Sequence, residues 1–497
     1  MSLSAPLFDA GKAVGDAQLV ASAAAAALVM PQQPRISADV ADGHSSTIEL
    51  QPVAPHSRNS TIAPSVGFPS SLPIDHPTKA QRVRSHVQLA ALCMFVFIQG
   101  WNDASNGPLL PRIQQVYNLD YAVVSLLFVF SFIGFISGAI SNVVLTEKVG
   151  FGKLVVLGSA LQATGYAIEA AAPPFPVFVL GYYVAGFGMA LQNAQAVSYV
   201  AKMKDKPELK MAIFMAVYGP GAVLAPLVAT HFSTLPRWSF HFLTSLGLSL
   251  LNIAILSVVF RFKKQDDCLA QIGLAPASDR GTSNHSEFRQ ILALKEVHLL
   301  TLFVLFYNGV EVTIGGWTIT YIINVRGGGS AAGYISMGFF GGMAVGRLGG
   351  HWVNKKVGER LALIVYAILA IALEFVVWFV PSLSGDAFAI AAIGLLIGPM
   401  YPIAMNHAGR VLPRWLLTGV ISLCSMRVIV RSIAYNLPGS IGWIAGVGQA
   451  GSALLPFMAG AIASKAGIAT LQPVLVGFMA VMAGFWLLVP ASSHRHD

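Results

Sequence analysis

Charge is what this sequence has least of. Only 11% of its 497 residues are Asp, Glu, Lys or Arg, where a soluble domain carries about 25%. That scarcity excludes an ordinary water-soluble fold. Cysteine is scarce too: Cys93, Cys268 and Cys424 show neither pairing nor metal-ligand spacing. No disulfide framework, zinc site or other cofactor is therefore expected. No nucleophile–base pair or phosphate-binding loop stands out, which argues against an enzyme. The net charge of +9 would suit nucleic acid. The basic residues, however, sit in short loops between apolar runs, so no nucleic-acid partner is expected. No secretory signal is expected either. The apolar run at 19–30 is too short to span a bilayer, and Lys12 upstream is flanked by Asp9 and Asp16.

What the chain does have is apolar length. Hydrophobic residues make up 55%, with 48 glycines and 27 prolines, both commoner in transmembrane helices than in soluble ones. A span needs roughly 20 apolar residues. By that criterion helices are expected near 86–110, 121–145, 153–171, 177–200, 210–231, 239–260, 297–323, 331–353, 361–381, 387–409, 440–464 and 471–490. The expected fold is an all-α polytopic membrane protein of twelve helices. Residues 1–78, rich in Ala, Ser and Pro, read as a disordered cytosolic tail. Residues 79–260 form one six-helix half, 261–296 a cytosolic linker, 297–490 the second half and 491–497 a short tail. With the N-terminus in the cytosol, 21 basic residues fall on that side against four opposite, Arg112, Arg237, Arg326 and Lys465. The positive-inside rule then places both termini in the cytosol, of the plasma membrane or an internal one.

Two features repeat at one spacing. Asp103, in QGWNDASNGPLLP, and Glu311, in FYNGVEVTIGGW, both lie within apolar runs, and 311 − 103 = 208. The loop with Glu147, Lys148, Gly150 and Lys153 is answered by Lys355, Lys356, Gly358 and Arg360, where 356 − 148 = 208 again. Two parallel six-helix halves related by an axis along the membrane normal would produce this. These loops are expected to gate the conformational change.

The pattern resembles the major facilitator superfamily, over residues 86–490. The two loops resemble its signature between the second and third helices. More narrowly the chain resembles the fucose permease branch and its fungal relatives, on Tyr307-Asn-Gly-Val-Glu311-Val, Gly398-Pro-Met-Tyr-Pro402 with Asn406, and Asn106-Gly-Pro-Leu-Leu-Pro111. The resemblance implies a monomeric secondary transporter of a small, sugar-like solute in the lipid bilayer, coupled to protons.

A carboxylate at membrane depth marks a functional site by default. With Arg347 assigned to the cytosolic end of the eighth span, neither Asp103 nor Glu311 has an expected cationic neighbour. Such groups would load and release protons as a cavity opens to either side. Glu374 reads as structural, and Glu169 as facing water. The resembling branch has an acidic residue where Gln192 stands, so any coupling here shifts to Asp103 and Glu311. Amides at Asn102, Gln192, Asn193, Gln195, Asn308, Asn406 and Gln449 would take a polyhydroxy solute's hydrogen bonds. Trp101, Tyr307, Trp317 and Tyr401 would pack on its apolar face. The competing reading of each is interhelical packing or hydrogen bonding. Competing functions are an efflux carrier of the same superfamily and a non-transporting sensor of this fold.

One segment sits apart. In the fungal relatives that the chain resembles, Pro-Arg-Trp-Leu-Leu-Thr-Gly runs straight into Ser-Ile-Gly-Trp. Here Val420–Pro438 intervenes, with Arg427 and Arg431 on one helical face. It reads as an insertion in the cytosolic loop or as a retained intron.

Overall fold

The structure, a computed structural model, describes residues 78–203, 206–274, 294–411 and 446–490. The segment at 420–438, the tail at 1–77 and residues 491–497 lie outside the described residues. Among the described residues, twelve bundle helices follow in order. They are α1 (Lys79–Tyr117), α2 (Tyr121–Val124, running on as Leu126–Val149), α3 (Phe151–Ala170) and α4 (Phe175–Ala201). Next come α5 (Pro207–Ala216, running on as Tyr218–Ser233), α6 (His241–Phe260), α7 (Lys295–Arg326) and α8 (Tyr334–Val357). The last four are α9 (Glu359–Phe379), α10 (Leu383–Ile397, running on as Met400–Val411), α11 (Gly451–Ala466) and α12 (Leu471–Leu488). Helix is what a lipid-immersed backbone must adopt, because every N–H and C=O needs an internal partner. Ten of these helices are long and apolar enough to cross a membrane. The other two, α3 and α8, are diluted by Lys153, Gln162, Glu169 and Arg347, yet lie in the same bundle.

The packing repeats with the sequence. Helix α1 packs on α5 and α6, as α7 packs on α11 and α12. Helix α4 packs on α2 and α3, as α10 packs on α8 and α9. The α3–α6 contact is likewise matched by α9–α12. The halves meet through α1–α7, α2–α11 and α5–α8, pairs that exchange under the same operation.

Glycines show how closely the backbones approach. A Cβ on Gly134 would lie 2.1 Å from the Tyr183 carbonyl oxygen, and one on Gly342 2.1 Å from that of Ala391. These two glycines are again 208 apart, so one helix contact is built twice with small residues at its seam. The turns α2–α3 and α8–α9 hinge on Gly150 and Gly358, at φ +83° and +89°. A side chain would be strained there.

The bundle has two ends. One carries the linker and the hinges at Gly150 and Gly358, and is called the linker face. At the opposite face the halves are tied together. The Ala122 amide donates to Ser464 Oγ at 2.7 Å and Asn324 Nδ2 donates to Tyr121 Oη at 3.2 Å. Deeper in, Gly107 of α1 lies against Gly315 of α7, where a Cβ would come within 2.2 Å of the carbonyl oxygen.

At the linker face, the short helix Gln265–Ala270 docks under the first half. Cys268, Leu269 and Ile272 are buried with Phe151, Tyr199, Phe214 and Phe260. Gln88 Nε2 donates to the Cys268 carbonyl, and the Gly152 amide to that of Lys263.

Candidate functional site

Asp103 and Glu311 each lie near the middle of the first helix of their half, and both are partly buried. The two carboxylates are held by different means. Asp103 accepts from Asn102 Nδ2 (3.2 Å) and from the Tyr218 hydroxyl of α5 (3.1 Å). Glu311 instead pairs with a cation: Arg347 Nη2 lies 3.5 Å from its Oε1. This corrects the expectation that no cation neighbours Glu311. Helix α8 runs on to Val357, so Arg347 sits near its middle rather than at its end.

Arg347 also bridges the halves. Its guanidinium lies over the Tyr218 ring, 5.6 Å from the centroid, in cation–π geometry. The same tyrosine donates to Asp103. The order across the interface is therefore Asp103, Tyr218, Arg347, Glu311, with the first two on α1 and α5 and the last two on α8 and α7. Tyr307, one turn before Glu311, is buried, and its ring lies 5.7 Å from that of Tyr401 on α10. Its hydroxyl lies beside Arg347 and Glu311.

The other expected site residues fall into distinct places. Trp101 is buried, donates from Nε1 to Ser245 Oγ at 3.0 Å and stacks on His241 with 2° between the ring planes. Asn102 Oδ1 accepts from Tyr166 at 3.1 Å. Asn193, Asn308 and Gln449 are half-buried, and Asn406 is exposed. Gln192 is used between helices, donating to Gln162 Oε1 at 2.8 Å and accepting from Asn252 at 2.9 Å. Gln195 is likewise bound to α2, donating to Asn142 Oδ1 and Thr146 Oγ1. Trp317 does not join the carboxylates. It is fully buried, donates to the Pro456 carbonyl at 3.0 Å and packs edge-on against Tyr121. Glu147, Lys148, Lys153, Lys355 and Lys356 are exposed at the linker face, and Arg360 caps the Leu487 carbonyl.

Two outer carboxylates also differ from expectation or add to it. Glu169 does not face water: it is 1% exposed and its Cγ lies under Gly181 of α4. The last turn of α3 is covered by its neighbour, so helix-end position misled. Glu374 is buried. Nearby, Arg326 pairs with Asp386 at 3.2 Å and caps the α9 carbonyls of Val377 and Trp378. Among the described residues no group of His, Cys, Asp and Glu is placed to hold a metal.

Sequence reading missed Tyr218, Arg347, Gln162, Tyr166 and Asn252. A signal existed for Gln162 and Tyr166: they stand four apart, on one face of α3.

Comparison with known proteins agrees with this architecture. Residues 92–429 match the Major Facilitator Superfamily profile. The chain is 25% identical over 434 residues to "Bypass of stop codon protein 6" of Saccharomyces cerevisiae, covering 82% of this chain and 83% of that one. It is 24% identical over 433 residues to a glucose/galactose transporter of Brucella abortus, covering 82% and 95%. Among solved structures, a bacterial homologue of the human lysosomal transporter Spinster, inward-facing and occupied, superposes with a TM-score of 0.64 at 15% identity, covering 84% and 98%. A variant of the E. coli fucose:proton symporter FucP gives 0.52 at 16%, covering 83% and 100%. These structures share the fold.

Proposed function

This chain belongs to the Major Facilitator Superfamily of membrane transporters, and from that premise we propose that it is a secondary carrier of a small, sugar-like solute, driven by protons. The observation that carries the reading is the bridged pair of carboxylates. Asp103 and Glu311 occupy matching places in the two halves, and Tyr218 and Arg347 connect them across the interface. The glucose/galactose transporters among its relatives suggest the class of solute. Tyr307, Tyr401, Asn102 and Asn308 supply rings and amides around the carboxylates for a polyhydroxy ligand.

The chemistry follows from charge. Protonating Glu311 removes the partner of Arg347. The guanidinium already lies on Tyr218, next to Asp103, and the second carboxylate becomes its best remaining partner. Moving it requires α8 to shift against α5, which is the contact that rocking of the halves must remake. Deprotonation restores the first pairing. With the basic linker face in the cytosol, as the positive-inside rule suggests, the tied opposite face is the outer gate. It must open for solute to enter from outside.

The test is uptake by proteoliposomes across labelled glucose, galactose and fucose, with and without an imposed pH gradient. The reading expects at least one sugar to accumulate above its external concentration only under the gradient. Accumulation of none, in protein shown to be folded, refutes it.

A further inference from the structure

Behind Asp103 runs an unbroken chain of hydrogen bonds through four helices. Asn252 of α6 donates to Gln192 of α4 at 2.9 Å, which donates to Gln162 of α3 at 2.8 Å. Gln162 donates to the Tyr166 hydroxyl at 3.0 Å, and Tyr166 donates to Asn102 Oδ1 of α1 at 3.1 Å. Asn102 then donates to Asp103. Asn252, Gln192, Gln162 and Tyr166 are each at most 1% exposed. Every bond points the same way, toward the carboxylate. Donors aligned in series polarise one another, most of all away from water.

We infer that Gln162 and Tyr166 are positioning residues that hold Asn102 against Asp103 and make the packing of α3, α4 and α6 felt at the central carboxylate. The inference deepens the transport reading and rests on it for its biological meaning, but its physical content is independent. Gln192, Gln162 and Asn102 each both donate and accept in the chain. Methionine at 162, close to glutamine in size, has neither the carbonyl that accepts from Gln192 nor the N–H that donates to Tyr166, so it cuts the chain at that link without adding a charge. Phenylalanine at 166 would delete the link outright.

Other groups reach Asp103 and stay in place in these variants. Tyr218 donates to it from α5, and Glu311 lies near it from α7. Arg347 acts through Tyr218 from α8. Tyr182 of α4 reaches Asn106, and His241 of α6 reaches Ser105, on either side of the same turn of α1.

The test reads the carboxyl itself. Dicyclohexylcarbodiimide reacts with protonated carboxyls inside membranes, and mass spectrometry locates the adduct on Asp103 in the purified full chain. Donors favour the anion, so weakening them lets Asp103 keep its proton to higher pH. In Tyr166→Phe and Gln162→Met the labelling midpoint should rise by about 0.5 pH unit, roughly a threefold change in proton affinity. Tyr199→Phe serves as the control. It removes an equally buried hydroxyl of the same half, bonded to Gln88 and outside the chain, and should leave the midpoint unchanged. If both test variants label as wild type does, or if Tyr199→Phe shifts the midpoint as far, the inference fails. Absence of proton-driven uptake in wild type would sink the transport reading without touching this result.

Discussion

The two halves solve one problem in two ways. Each must keep a carboxylate on its first helix away from bulk water. The first half surrounds Asp103 with neutral donors, from Asn102 and Tyr218, backed by a train of buried amides. The second half gives Glu311 a guanidinium. The helix pairings repeat between them, down to paired glycines at Gly134 and Gly342. The side chains do not. Symmetry of scaffold therefore coexists with asymmetry of charge: the cation pairs with Glu311 and meets Asp103 only through Tyr218.

Breaking the ion pair should have the largest effect. Arg347→Gln leaves Glu311 without its cation. Loss of one partner from a buried pair costs about 3–5 kcal/mol, but this pair is partly exposed, so about 2 kcal/mol is expected. Gradient-driven accumulation should fall at least a hundredfold. The double variant Glu311→Gln with Arg347→Gln should recover most of the stability, measured by thermal unfolding in detergent, but none of the accumulation. If the double variant is no more stable than the single one, the two residues are not a pair.

Asp103→Asn sharpens the contrast. The groups bonded to it are neutral, so its stability cost should be nearer to about 1 kcal/mol, the scale of one altered hydrogen bond. Counterflow exchange should survive while accumulation is lost. An unfolding cost as large as that of Arg347→Gln would remove the distinction between the halves.

The repeat itself can be tested at the glycines. Gly134→Ala and Gly342→Ala each drive a methyl into a facing carbonyl. Each should cost about 1–3 kcal/mol by overpacking, and the two costs should agree. A large effect in one half only would mean that the shared geometry does not carry shared energetics.

The smallest effect concerns the linker helix docked under the first half. Burial pushes the Cys268 thiol up to about 11. Only the thiolate reacts, so maleimide labelling of Cys268 should be slow at neutral pH and rise about tenfold per pH unit below that value. Gln88→Ala removes the side-chain bond to the Cys268 carbonyl and should speed labelling severalfold. Rapid labelling of the unaltered chain at pH 7 would show that the linker does not stay docked.

Much of this was legible in the sequence for physical reasons. Lipid demands long apolar helices, so the spans announce themselves, and the 208-residue offset exposes the duplication. Asp103 and Glu311 were legible because carboxylates are rare at membrane depth. Arg347 was not. Its glycine-rich helix reads as weakly apolar and was expected to end at 353, four residues short of Val357, which displaced the arginine toward water. The amides were ambiguous for a different reason. A polar side chain in a span can line a cavity or bridge two helices, and periodicity does not say which. Gln192 and Gln195 bridge helices in this structure. Trp317 likewise finds a carbonyl on α11 instead of a place beside the carboxylates.

In the mechanism proposed above, Glu311 takes up and gives back the driving proton while Arg347 follows the charge. The most direct measurement is uptake of a transported sugar by proteoliposomes containing Glu311→Gln, under an inward proton gradient and, separately, in counterflow without one. Counterflow should stay within about tenfold of wild type, with no accumulation above the external concentration, because an amide carries no exchangeable charge. Accumulation at the wild-type rate would show that Glu311 is not the proton carrier.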